Sequence, residues 1–123
     1  MNRFLMTVVL ALAGVAGGPA WAHGEVKARH GGQVQEAQDL GFELVQQPAG
    51  VALYIDDHGK PLAPAGLSGK LTVLAGGVKT DYPLGVAGDR LLAAGAQLPK
   101  GARAVAVING VGGKTVTVRY TIK

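Results

Sequence analysis

The stretch LGFELVQQPAGVALYIDD, residues 40–57, decides the reading of the fold. Leu40, Phe42 and Leu44 alternate with Gly41, Glu43 and Val45, and beyond Gln47-Pro48-Ala49-Gly50 the alternation resumes with Val51, Leu53 and Ile55. A period of two is that of a strand with one buried face, and a short Pro/Gly loop between two such runs predicts a hairpin. Setting Gln46 opposite Val51 puts Glu43 opposite Tyr54, on the face turned away from the apolar set. Asp56 then lies diagonal to Glu43.

The same pattern extends outward from this hairpin. Val116, Val118, Tyr120 and Ile122 alternate with Thr115, Thr117, Arg119 and Thr121, and residues 102–109 form a nearly continuous apolar run that suits a strand covered on both faces. Gly110-Val111-Gly112-Gly113 joins the two. Weaker strands are expected over residues 32–37, 70–75, 78–83 and 90–93, and Asp56-Asp57-His58-Gly59-Lys60-Pro61 reads as a turn, because Asp and Gly suit turn backbone. The expected fold is all-β. Seven or eight short strands in roughly 100 residues favour an immunoglobulin-like β-sandwich, with a small β-barrel as the alternative.

Ahead of the strands lies a leader. Asn2 and Arg3 open it, residues 4–16 are an apolar run too short to span a bilayer, and Ala20-Trp21-Ala22 has the small-x-small pattern of a processing site. Residues 1–22 are therefore expected to be a signal peptide that is removed, leaving no stable membrane insertion. Residues 23–32 form an N-terminal segment anchored only by Val26, and it is expected to be flexible. Residues 33–123 make the β-domain.

Composition narrows the chemistry. The chain has no cysteine, so an exported domain must hold together by packing, and any metal site must use nitrogen and oxygen donors. From His23 onward, eleven basic side chains face eight acidic ones, spread singly, with no run that follows a phosphate backbone. Nucleic acid is not an expected partner. Ser68 is the sole serine, and no nucleophile is spaced beside a histidine, so the chain is not read as an enzyme.

What remains is three histidines and two placed carboxylates. Processing after Ala22 would give His23 a free amine beside its imidazole, a chelating pair for Cu(II). His30 is followed by Gly31-Gly32, which lets the chain turn back toward the sheet edge. His58 stands at a loop tip, with Asp56 two residues before it, and Glu43 completes the candidate set. Cu(II) or Zn(II) is the expected ion. An ordinary imidazole is neutral at pH 7 and protonated below about pH 6, so such binding should fade in acid.

Arg29-His30-Gly31-Gly32-Gln33-Val34, Phe42-Glu43-Leu44-Val45, Tyr54-Ile55-Asp56-Asp57-His58-Gly59-Lys60-Pro61 and Ser68-Gly69-Lys70-Leu71-Thr72-Val73-Leu74 carry a resemblance. Through them the chain looks like the small exported bacterial proteins associated with heavy-metal efflux systems of the resistance–nodulation–division class. That resemblance implies a periplasmic role in metal handling, and it includes His30 and His58 within its motifs. A looser likeness, of ligand types only, is to the CopC-type periplasmic copper carriers, which His23 and Asp56-Asp57-His58 would match.

The expected function is binding of a divalent transition metal in the periplasm, to buffer it or pass it to an efflux system. The alternative is a metal-free accessory module that docks on a periplasmic efflux adaptor through a sheet edge or loop face. A copper-dependent oxidative enzyme using the N-terminal histidine stands third.

Overall fold

The computed structural model describes residues 26–123; the expected signal peptide and His23 lie outside the described residues. Within them the chain forms nine antiparallel strands and no helix: β1 (Gln33–Ala37), β2 (Leu40–Gln47), β3 (Gly50–Asp57), β4 (Lys60–Leu62), β5 (Ser68–Ala75), β6 (Val78–Ala87), β7 (Arg90–Ala94), β8 (Arg103–Val111) and β9 (Lys114–Thr121). The strand order β1-β2-β3-β7-β6-β5-β8-β9, with β4 added at β3, makes one nearly closed, barrel-like sheet. The barrel alternative fits this order. The immunoglobulin-like sandwich is not confirmed, and there are nine strands where seven or eight were expected.

Continuity between the two halves comes from β6. Its first part pairs with β5 as far as Leu84, and from Gly85 it pairs with β7 instead. Pro83, which lacks a donor, sits next to this change of partner, where a missing ladder bond costs least. The expected end of this strand at Pro83 was therefore too early.

Phe42, Leu53, Leu71, Leu91, Ile108 and Val118 are fully buried inside the sheet, each contributing about 1.5–3 kcal/mol through removal from water. They come from six different strands, so the core is one body. Tyr120 closes it: its hydroxyl donates to the Phe42 carbonyl at 2.7 Å, from strand β9 across to β2. Burial and, secondarily, the charge of Glu43 push its phenol well above the usual range, so it stays a neutral donor.

The expected register of the opening hairpin is found, with Gln46 opposite Val51 and Glu43 opposite Tyr54. The loop is shorter than expected, because Gln47 pairs with Gly50 and leaves only Pro48-Ala49 between the strands. The second turn is also tighter. β3 runs to Asp57 and β4 resumes at Lys60, so only His58-Gly59 remains between them. Both have positive φ, 51° and 90°. This is the backbone of a tight two-residue hairpin turn, whose twist matches that of the strands.

Candidate functional site

The site is built around a carboxylate. Glu43 lies on the outer face of β2, yet it is only 5 % exposed, because residues 26–32 fold across it. Its Oε2 accepts the backbone N–H of His30 at 2.8 Å and of Gly32 at 2.9 Å; its Oε1 accepts the N–H of Arg29 at 3.1 Å and faces His30 Nδ1 at 2.9 Å. A carboxylate offers about four acceptor positions, and all are taken. Burial acts to raise the Glu43 pKa, but the hydrogen bonds from the His30 ring and from the Gly32, His30 and Arg29 amides outweigh it and hold the group below its ordinary value.

Two glycines make this wrap feasible. Gly31 has φ of +76°, a left-handed turn that aims successive N–H groups at one point. Gly32 has no room for a side chain, since a Cβ there would meet the carbonyl oxygen of Leu44. The glycines fold His30 back onto the sheet, as the sequence led us to expect. The segment itself is seated on the sheet instead of standing free of it. Backbone donors hold it, and these leave no mark in side-chain composition.

His30 is fixed from two further directions. Its ring stacks on Tyr54, with centroids 3.6 Å apart and planes 7° from parallel, and the Tyr54 hydroxyl accepts from Gln47 Nε2 at 2.9 Å. A carboxylate can only accept, so Nδ1 of His30 carries the hydrogen in this pair. In the neutral ring the lone pair is then on Nε2. No hydrogen bond among the described residues engages that atom, and the side chain is 38 % exposed.

His58 repeats the pattern in the open. Its Nδ1 lies 2.6 Å from Asp57 Oδ1, with the side chain 77 % exposed. The hydrogen bond to Asp57, then the charge of Asp57, raises its pKa. The left-handed backbone gives His58 a structural reason as well, since histidine is among the residues that tolerate it.

Arg29 links the two corners. Its Nη2 donates to the Gly59 carbonyl at 2.6 Å and lies 3.3 Å from Asp56 Oδ1, while Asp56 Oδ2 accepts the Gly59 N–H at 2.8 Å. Asp56 Oδ1 has this charge beside it but no aligned hydrogen bond, and it is buried.

The expected ligand set divides accordingly. Glu43 is saturated by donors and positions His30 instead of ligating. Asp56 is paired with a guanidinium, a poor neighbour for a cation. His30 and His58 each present a bare Nε2, but each ring is held by a different carboxylate, and among the described residues no group of three or more His, Cys, Asp or Glu side chains gathers to hold a metal. His23 lies outside the described residues. Sequence reasoning missed Tyr54 and Arg29. The pairing of Tyr54 with Glu43 was the available signal for the first; nothing local marked the second.

Comparison with protein-family models, curated proteins and solved structures finds no match to this chain. The functional reading therefore rests on this geometry.

Proposed function

We propose that the protein is a periplasmic binding protein for a divalent transition-metal ion, Cu(II) or Zn(II) first, with His30 as its principal imidazole ligand. The observation that carries the reading is the His30–Glu43 pair. Metal-binding histidines commonly give their other ring N–H to a carboxylate, which fixes the tautomer and makes the free nitrogen a better donor. Glu43 does this for His30, and Asp57 does it for His58.

A structural zinc site closes its sphere with four protein ligands. An ion on His30 has positions left for water, for His58, or for donors of a protein that receives it. Such an open sphere suits exchange better than storage, which accords with delivery to an efflux system. In this proposal the protein is a carrier or buffer, not an enzyme.

Calorimetric titration of the mature chain with Cu(II), Zn(II), Ni(II) and Co(II) tests this. We expect at least one ion to bind more tightly than about 10 μM and His30→Ala to weaken it about tenfold or more. No ion reaching that affinity, or an unchanged His30→Ala variant, would remove the proposal.

The second reading, a metal-free module docking on an efflux adaptor, is favoured by a different feature: the sheet does not close by hydrogen bonding between β1 and β9.

A further inference from the structure

β1 pairs only with β2, and β9 only with β8, so these two edges face each other across an open seam. One side chain bridges it. Gln33 Nε2 donates to the Thr121 carbonyl at 2.8 Å, and Gln33 Oε1 accepts the Lys123 N–H at 2.9 Å. Ile122 between them turns its N–H and C=O the other way, to Ala102 and Gly101. Strand alternation then puts the N–H and C=O groups of Thr117 and Arg119 on the seam side as well, without a neighbouring strand.

Beside this edge lies a cleft of about 780 Å³, within the size range of ligand sites. Arg103, Arg119 and Lys123 line it together with Val34, Val105 and Tyr120, and no Asp or Glu does. None of the three basic side chains makes a salt bridge among the described residues. Arg119 and Arg103 belong to the outward rows of β9 and β8, whose alternate residues Tyr120 and Ala104 are buried.

We propose that this seam binds an extended acidic segment of a partner protein, which adds to the free edge of β9 as a strand. Main-chain groups of Thr117 and Arg119 supply the ladder, as in other strand-addition complexes. Period two in the added strand sends alternate side chains to the Arg103–Arg119 row and the rest toward Tyr120 and Val34. The recognised segment therefore carries Asp or Glu at every second position, with small apolar residues between. The alternative of nucleic acid does not fit a seam whose specificity lies in strand edges. The proposal is independent of metal binding by His30.

Fluorescence anisotropy with the mature chain tests it, using a labelled peptide Gly-Glu-Val-Glu-Val-Glu-Thr-Gly, the same peptide with Lys for Glu, and the acidic peptide N-methylated on alternate amides. The acidic peptide should bind about tenfold or more tightly than the lysine peptide, and N-methylation should cost about tenfold or more. Arg119→Glu should lower affinity similarly, and salt should weaken what remains. Equal binding of the N-methylated peptide would mean charge attraction alone and would overturn strand addition. Equal binding of the lysine peptide would overturn the acidic preference. Self-association of the free protein that Arg119→Glu abolishes would place a second copy in the seam instead of a partner. Should that variant fail to fold, the three peptides on the unaltered chain still decide.

Discussion

At the scale of single residues, Glu43 is where local chemistry and function meet. It is a buried carboxylate stabilised by donors from a segment that has almost no apolar contact of its own, so its charge is what holds residues 29–32 to the sheet. Glu43→Gln keeps the shape but turns an amide group toward backbone N–H donors. We expect a loss of about 3 kcal/mol, from the worth of hydrogen bonds to a charged group and the cost of orphaned donors, read from urea unfolding at pH 7. The pH dependence has a definite sign. The folded pKa of Glu43 is depressed below the ordinary 4.5, so its contribution is fully present above that value and is lost as pH falls through the lower folded value. The stability difference between the native chain and Glu43→Gln should therefore be constant near neutrality and shrink below about pH 4. A difference that persists at lower pH would show that the carboxylate charge is not what matters.

At the scale of elements, the hairpin turns separate what was legible from what was not. Residues 40–57 declared both strands and their register, because alternation with one buried face allows only one pairing of Phe42 and Leu44 with Ile55 and Leu53. β4 was not legible, since Lys60-Pro61-Leu62 is too short to show a period and its Pro and Lys read as turn. Its presence changes the meaning of His58, from a free loop tip to the first residue of a two-residue turn. His58→Asn should preserve stability within about 0.5 kcal/mol, because Asn-Gly is the preferred pair for that backbone. His58→Val should cost about 1–2 kcal/mol through left-handed strain. Thermal unfolding of both variants checks this, and an equal loss in both would mean the ring, not the backbone, stabilises the turn. The wrapping of residues 26–32 over Glu43 escaped the sequence for another reason: its donors are backbone N–H groups, which every residue but proline has.

At the scale of the whole molecule, closure of the sheet depends on contacts between chain ends. Gln33 meets Thr121 and Lys123 across 88 and 90 positions of sequence, and no periodicity predicts such a pair. Gln33→Ala removes both bonds, and we expect about 1–2 kcal/mol of destabilisation together with faster amide exchange in β9 than in β8. Unchanged exchange in β9 would show that the seam is held by other contacts. The fully buried core stays intact in that variant, so the fold should survive. The carrier reading rests on how this framework presents one imidazole, with Nδ1 tied to Glu43 and Nε2 bare. The most direct test is the nitrogen–proton correlation spectrum of the imidazole rings of the mature chain near neutral pH, before and after one equivalent of Zn(II). It should show His30 protonated at Nδ1 and unprotonated at Nε2, with the Nε2 resonance displaced by the metal and the Nδ1 proton retained. A His30 ring that carries its proton on Nε2, or whose Nε2 resonance does not move when Zn(II) is added, would contradict it.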